Sequence, residues 1–431
     1  MTATDELVIT GGRPLRGRLQ LPGDKGISHR ALLFGAIADG SSQIHGIAPG
    51  DDVASTRDAL RALGVAIDSG TDGSVTLDGH GFASLSAPRA DLDCGNSGTT
   101  MRMLLGLLAG CPFTSVLTGD ASLSERPMMR VVEPLRAMGA HIDGRDDGRL
   151  PPLTVQGGSL TGVGVTLTVA SGQVKTALVL AGLQATGVTE VREPAVSRDH
   201  TERMLIALGA PIERIDDRTL RVRAGAPRPF ELDVPGDPSS AAFFVVGALV
   251  TPGSELVLEG VLLNPGRIAF VDLLKSMGAS IDVHQREMRL GEPVGDLTVR
   301  ASPLHGTTIV CSEAMIDEVP ALAVAASFAY GVTEFRGAAE LRVKESDRIA
   351  VLERELGELG VGAEGAADGL VVRGGRPRAG TFESHGDHRI AMAAAIAASA
   401  VDGESRVHGW RSVSVSYPGF ANDLASLTAD S

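Results

Sequence analysis

Aromatic residues are scarce in this chain of 431 residues, which has one Trp, two Tyr and eleven Phe. Its core must be built mainly from Ala, Val and Leu. Cysteines number three (Cys94, Cys111 and Cys311), and no pair has the C-x-x-C spacing of a zinc ribbon or a dithiol redox site. Such usage fits a reducing compartment. Positive charge is also in deficit, with 39 Lys and Arg against 53 Asp and Glu and a net charge of −14. An extended nucleic-acid surface is thereby excluded, because backbone phosphates need a positive field over a wide area. Any anionic ligand must be met locally. No apolar run is long enough to span a bilayer, and the opening Met-Thr-Ala-Thr-Asp-Glu lacks a basic region followed by an apolar stretch. The expectation is a cytoplasmic protein with no export signal, membrane span or plastid-type leader.

What the chain does have is glycine, 54 residues of it, and 43% hydrophobic side chains, a globular composition rich in tight turns. At this length a single core is too large, so two domains are expected. An Ala/Leu-rich stretch ending in a turn glycine recurs six times, marked by Gly40, Gly110, Gly187, Gly253, Gly331 and Gly403 at steps of 66 to 78 residues. The copy at 101–119 is the least regular. A second element recurs behind it, as in Leu60-Arg-Ala-Leu-Gly-Val-Ala-Ile67 and Leu274-Lys-Ser-Met-Gly-Ala-Ser-Ile281. The leucine spacing of three marks one helix face, and the glycine stands where a helix C-terminus needs a left-handed residue. Alternating runs such as Ser74–Gly79 and Leu220–Ala224 supply further strands. Each unit reads as strand, helix, strand, helix and hairpin, in an α/β chain. Pro-Gly-Asp occurs at 22–24 and again at 235–237, about half a chain apart. The crossings between domains are placed there, giving one domain from 21–235 and a discontinuous one from 1–20 plus 236–431.

The segments ahead of the Ala/Leu helices combine small residues with polar ones: Gly23-Asp-Lys-Gly-Ile-Ser-His-Arg30, Gly95-Asn-Ser-Gly-Thr-Thr-Met-Arg102, Ser171-Gly-Gln-Val-Lys175, Gly236-Asp-Pro-Ser-Ser240, Met315-Ile-Asp-Glu318 and His385-Gly-Asp-His-Arg389. Free N–H groups and the positive dipole end make a helix start an anion site, and small residues admit a ligand to the backbone. Capping alone accounts for Ser, Asn and Asp at any one of these starts. It does not account for Lys25, Arg30, Arg102, Lys175 and Arg389. More cations follow in Ser124-Glu-Arg-Pro127, Ser197-Arg-Asp-His-Thr-Glu202 and Leu341-Arg-Val-Lys-Glu-Ser-Asp-Arg348. Arginine forks suit phosphate and carboxylate oxygens, so the pattern points to a small polyanion. Taken alone, the 344–348 run reads equally well as a solvated helix start with ordinary ion pairs.

Asp24-Lys25-x-Ile-Ser-His-Arg30, Gly95-Asn-x-Gly-Thr99 with Arg102, Glu125-Arg-Pro127, Arg342-Val-Lys-Glu-Ser-Asp-Arg348 and Asp387-His-Arg389 resemble, in order and from about residue 8 to 425, the motif series of the 5-enolpyruvylshikimate-3-phosphate synthases. Arg198 and Met315-Ile-Asp-Glu318 resemble the bacterial branch noted for tolerating glyphosate, whose members carry Ala where Gly98 stands here. The resemblance implies a two-domain enolpyruvyl transferase fold, each domain three βαβαββ repeats around buried parallel helices, closing over substrate. It implies transfer of the enolpyruvyl group of phosphoenolpyruvate to the 5-hydroxyl of shikimate 3-phosphate by addition and elimination. A monomer needing no metal or cofactor is implied as well.

Carried over by position, Lys25, Gly26, Arg30, Ser171, Gln173, Ser197, Arg198, Asp317 and Lys344 match residues around shikimate 3-phosphate. Lys25, Asn96, Gly98, Arg126, Gln173, Arg348 and Arg389 match the substrate-binding set on the phosphoenolpyruvate side. Glu345 is expected to transfer the proton at C3, Asp317 to orient and deprotonate the 5-hydroxyl, and Lys25 to act as counter-charge or acid. His388 is either a further catalytic candidate or a buried histidine hydrogen-bonded beside Asp387.

The chain departs from the family's pattern at Gly26, where Ser is usual, at Gly172, where Ser or Ala is found, and at Val415, where many members have Lys. A specialised paralogue acting on another shikimate-like cyclohexene acid, by elimination alone, is therefore the alternative. The related UDP-N-acetylglucosamine enolpyruvyl transferases keep a cysteine ahead of their Arg-Pro, and Gly119 to Pro127 contains none.

Overall fold

The computed structural model describes residues 5–70, 73–312 and 314–428. The chain divides into two compact units. Unit 1 comprises Met1–Pro22, Pro235–Glu287 and Pro293–Ser431, and unit 2 comprises Gly23–Val234 with Met288–Glu292.

Six helices organise the units: α1 (Lys25–Ile37), α2 (Gly98–Leu108), α3 (Gly172–Gly182), α4 (Pro238–Val250), α5 (Val319–Phe328) and α6 (His388–Ser399). They are the Ala/Leu stretches of the sequence. Their apolar residues run around the whole circumference rather than along one stripe, which is the pattern of a helix enclosed on all sides. In α4 every residue from Pro238 to Leu249 is buried, and in α6 every residue is. Five of the six starts are capped by a side chain. Asp24 accepts from Ile27 N at 2.7 Å, Ser97 from Thr100 N, Ser171 from Val174 N, Asp237 from Ser239 N and Asp387 from Arg389 N. α5 instead begins with Pro320 in its first turn and has no side-chain cap.

With five of the six central helices goes a four-stranded sheet of fixed order. In the second repeat the short strand Leu92–Asp93 precedes α2, and strand Thr114–Thr118 returns parallel to it. Helix Met129–Ala137 then leads into the hairpin His141–Gly144 and Leu150–Gln156, antiparallel to the parallel pair. The third repeat builds the same sheet from Gly164–Thr166, Val188–Arg192, Ile212–Asp216 and Thr219–Arg223, with His200–Ala207 as its outer helix. After each outer helix stands a glycine (Gly64, Gly139, Gly209, Gly278 or Gly360) with φ between 71° and 105°, a left-handed turn that directs the chain into the hairpin.

The first repeat of each unit borrows its leading strand. Glu231–Asp233 pairs parallel with Asp39–His45 in unit 2, and Arg16–Gln20 pairs parallel with Glu255–Leu262 in unit 1. The sixth repeat is incomplete. Its sheet has three strands, and Glu6–Gly11 lies antiparallel to Gly403–His408 where a hairpin would continue. The chain instead folds into helix Phe420–Thr428.

The few aromatic residues are not scattered. Phe244 and Phe420 lie 4.9 Å apart and, with Phe243, Tyr417 and Trp410, form one cluster beside α4 in unit 1. An aliphatic core was expected throughout, and here the helix after the sixth repeat brings in rings that close a face lacking its hairpin. Gly110, used above as a repeat marker, does not adopt a left-handed backbone, unlike Gly187, Gly253, Gly331 and Gly403. It is a packing glycine, since a Cβ there would stand 2.4 Å from Gln184 Oε1.

Helices α2 and α3 touch through backbone. A Cβ on Gly106 would lie 2.1 Å from the Ala177 carbonyl oxygen. Gly106→Ala must push the helices apart and should destabilise unit 2 by about 2–3 kcal/mol. Urea unfolding checks this, and an unchanged midpoint would mean that the helices separate freely.

Candidate active site

Within each unit, hydrogen bonds join the starts of central helices. In unit 2, Arg30 on the second turn of α1 reaches the start of α3. Its Nε donates to Thr201 Oγ1 at 2.7 Å, Nη1 to the Gly26 carbonyl at 2.9 Å, and Nη2 to Thr176 Oγ1 at 2.9 Å. Burial pulls this guanidinium down to about 10 against the opposing pull of Glu202 and Asp24. It remains charged at neutral pH. Lys25 Nζ lies 2.8 Å from Asp52 Oδ2. Under these groups His29 Nδ1, Thr56, Thr100 and Ser97 form a hydroxyl chain with 2.7–2.8 Å links that ties α1 to the cap of α2. Burial lowers His29 to about 3, so it is neutral.

At the start of α2, Asn96 Oδ1 accepts from Arg126 Nη2 at 2.7 Å, and Asn96 Nδ2 donates to Asp120 Oδ2 at 2.7 Å. Gln173 bridges α2 and α3, accepting from Arg102 Nη1 at 2.8 Å and donating to Thr99 Oγ1 at 2.9 Å. Gly98 lies between two guanidinium groups: a Cβ there would be 2.8 Å from Arg102 Nη1 and 3.6 Å from Arg126 Nη1. Ser171 caps α3. Gly172 admits the Arg198 backbone, whose carbonyl oxygen would be 3.1 Å from a Cβ at that glycine. Gly26 has limited room as well, since a Cβ there would meet Asp24 Oδ1 at 3.1 Å and Arg30 Nη1 at 3.4 Å. Asn96, Gly98, Arg126 and Gln173 thus form one constellation, and Gly26, Arg30, Ser171, Ser197 and Arg198 a second around the start of α3.

Unit 1 gathers the remaining residues. Asp317, just ahead of α5, faces three cations: Lys344 Nζ at 3.6 Å, Arg348 Nη1 at 3.7 Å and Arg389 Nη2 at 3.8 Å. Arg389 also donates to the Asp317 carbonyl at 2.9 Å. Glu345 Oε2 accepts from Arg348 Nη2 at 2.6 Å. Arg348 is 1% exposed and is anchored behind by Asp387, with Nε to Oδ2 at 2.8 Å and Nη2 to Oδ1 at 3.2 Å. Burial opposes ionisation of Asp387, but Arg348 outweighs it and holds the carboxyl below its ordinary value. His388 is buried in the first turn of α6. A carboxylate ringed by three cations, beside a glutamate held on an arginine, can accept a proton from a hydroxyl and stabilise an anionic ligand.

Two expectations need correction. Lys175 is no ligand-facing cation: it is buried, with Nζ 2.7 Å from Glu193 Oε2 and 2.9 Å from Glu202 Oε1. The run 344–348 is not a plain solvated helix start, because Arg348 is internal. Arg102 carried no role in the sequence reading beyond its place in a cationic motif. Its partner Gln173 is 71 residues away, so no local signal exposed the pair. Among the described residues Asp199, His200 and Glu292 are spaced to hold a metal ion. Asp199 already pairs with Arg203 at 2.7 Å and Arg214 at 3.0 Å, and His200 Nδ1 with Glu292 at 2.8 Å. No helix among the described residues is long and apolar enough to cross a membrane.

Repeats of this kind around enclosed helices make up the enolpyruvyl transferase fold. The enolpyruvyl transferase NikO from Streptomyces tendae shares the fold, with a TM-score of 0.79 at 22% identity over 99% of this chain and 98% of that one. An EPSP synthase from Acinetobacter baumannii superposes with a TM-score of 0.88 at 42% identity, covering 98% of both chains. The family description of EPSP synthase (3-phosphoshikimate 1-carboxyvinyltransferase) matches residues 9–424. Proteins named 3-phosphoshikimate 1-carboxyvinyltransferase from Desulforamulus reducens and Pelotomaculum thermopropionicum are 46% and 50% identical over 99% of this chain, covering 100% and 99% of their own lengths. The chain belongs to the EPSP synthase family, whose members are transferases.

The Arg348–Asp387 pair generates a test. In Arg348→Met the Asp387 carboxylate loses its counter-ion inside the protein, and the fold should lose about 3–5 kcal/mol at neutral pH. Wild-type Asp387 is lowered, so its stabilisation is present above the ordinary carboxylate value and lost only as pH falls through the lowered one. In the variant burial and the Glu345 charge oppose ionisation without the Arg348 counter-charge, leaving His388 as the opposing charge, so protonation should relieve the penalty. Urea melts should show the gap narrowing from pH 7 to pH 5, and a constant gap would refute this account.

Proposed function

We propose that this chain transfers the enolpyruvyl group of phosphoenolpyruvate to the 5-hydroxyl of shikimate 3-phosphate with release of phosphate, as a cytoplasmic monomer of the shikimate pathway. The observation that carries the reading is 46% identity over 99% of this chain and 100% of a relative bearing the name of that activity. In the reaction, C3 of phosphoenolpyruvate gains a proton while the 5-hydroxyl oxygen bonds to C2 and gives up its own. Phosphate then leaves C2, and C3 loses a proton to form the new vinyl ether.

Asp317 is assigned to the 5-hydroxyl. Its carboxylate faces three cations and can accept a hydrogen bond from a hydroxyl. Glu345 is assigned to C3. It sits on Arg348, which a ligand carboxylate would engage by replacing Glu345 and so freeing it for proton transfer. Arg126, Arg389 and Lys25 stabilise the charge of phosphoenolpyruvate, with Asn96, Gly98 and Gln173 shaping the α2 start around it. Arg30, Ser171, Ser197, Arg198 and Lys344 hold shikimate 3-phosphate. His388, buried next to Asp387, is a further candidate for proton transfer.

The test is phosphate release with both substrates, each also omitted in turn. Glu345→Gln should lower turnover by roughly 10²-fold or more with substrate affinity nearly intact. Near-normal turnover would remove Glu345 from the chemistry. Wild-type protein that binds no shikimate 3-phosphate would favour the alternative cyclohexene acid.

The resemblance to the glyphosate-tolerant branch is weighed by Gly98. With glycine here, glyphosate should compete with phosphoenolpyruvate, and the methyl of Gly98→Ala, directed at Arg102 and Arg126, should raise its inhibition constant by about 10-fold or more. Inhibition assays at matched phosphoenolpyruvate check this. Strong resistance of the wild type would assign tolerance to another residue.

A further inference from the structure

The segment 193–199 joins strand Val188–Arg192 to helix His200–Ala207 and has no regular structure of its own. It nevertheless carries Ser197 and Arg198, two residues assigned above to shikimate 3-phosphate. What holds it is a buried ionic network. Lys175, in the first turn of α3, is 1% exposed, and Glu193 and Glu202 are each 3% exposed. The ammonium group stitches the start of α3 to the end of a strand and to an outer helix, with one bond to each glutamate. Glu193 spends its other oxygen, Oε1, on the Ser197 hydroxyl, which donates to it. The Glu193 amide is itself fixed by the Arg218 carbonyl at 2.8 Å.

Such a network is a poor device for stability, because apolar residues of similar volume commonly serve as well or better than buried ions. It is a good device for direction. Two salt-bridged carboxylates and a lysine fix atoms along several axes at once, where apolar packing would let the loop slide. Gly172 is the second, independent sign. Its missing side chain lets the Arg198 backbone lie against the start of α3, since a Cβ would stand 3.1 Å from the Arg198 carbonyl and 3.2 Å from its Cβ. The loop is thus drawn onto the helix start at two consecutive residues.

We propose that Lys175 and Glu193 are positioning residues for the phosphorylated substrate: Lys175 orients Glu193, and Glu193 sets the Ser197 hydroxyl and the adjoining Arg198 backbone at the start of α3. The proposal rests on the shikimate 3-phosphate reading. Neither residue is among those assigned above to the reacting carbons, so the effect falls on affinity for one substrate and not on the chemical step.

The experiment is a double-mutant cycle of wild type, Glu193→Ala, Ser197→Ala and the double variant, read by calorimetric titration with shikimate 3-phosphate and by steady-state kinetics. Glu193→Ala should raise both the Kd and the KM for shikimate 3-phosphate by about 10-fold. It should leave kcat and the KM for phosphoenolpyruvate within about threefold. In the Ser197→Ala background the further loss should shrink below about twofold, because the two residues act as one unit. Lys175→Met should reproduce the defect for the same substrate. A folded Glu193→Ala with wild-type affinity, or an equal loss in both backgrounds, overturns the proposal while leaving the activity intact. If Glu193→Ala does not fold, Ser197→Ala decides, and unchanged affinity in that variant overturns the proposal. Wild type that turns over neither substrate overturns the functional reading itself.

Discussion

Helices buried on every side have only their ends to offer. That constraint runs through both units: α3 in unit 2 and α6 in unit 1 leave almost no exposed side chain along their length. Chemistry must therefore be done at the N-termini, where unpaired N–H groups and the positive dipole end already favour an anion. The cost is that charged residues recruited to those ends sit in partly dry surroundings and must be held by partners. Asp387 behind Arg348, Asp52 beside Lys25 and the pair Glu193 and Glu202 around Lys175 are the forms this takes.

The same constraint explains how an acidic protein serves an anionic substrate. The net charge of −14 describes the whole surface, whereas Lys344, Arg348 and Arg389 converge within 4 Å of one carboxylate. A local field of that density outweighs a diffuse opposite charge, which solvent and salt screen over about 8–10 Å. The carboxylates paired with these cations fix them in direction. Arg348 has both a buried anchor and a partner that a ligand carboxylate can replace, so one guanidinium joins the scaffold to the chemistry.

Repetition also distributes labour. Five of the six starts keep a side-chain cap while the polar payload changes: Asn and Arg around α2, Gln and Ser at α3, His and Arg at α6, with Asp at the uncapped start of α5. The sixth repeat shows how tolerant the plan is. Its hairpin is replaced by a strand from the N-terminus and an aromatic cluster beside α4, and the helix start with Asp387 and Arg389 keeps its geometry.

The sequence by itself determined the repeat, because turn glycines, capping residues and apolar helices act within a few residues of one another and leave a periodic trace. It likewise marked the helix-start segments, since Asp24-Lys25, Asn96-Ser97-Gly98, Lys344-Glu345 and Asp387-His388-Arg389 are contiguous and unusual in composition. Only the tertiary structure decided which of those charges are available. Lys175 and Lys25 look alike in sequence, yet one is enclosed by Glu193 and Glu202 and the other stays partly exposed beside Asp52. Arg348 and Arg389 look alike as well, and the first is anchored by a carboxylate 39 residues away. Partners separated by 18 to 71 residues are set by how repeats pack, and no local preference encodes that distance. The joining of Ser197 to Lys175 through Glu193 belongs to the same class, because it exists only once a strand end, a loop and two helix starts have come together.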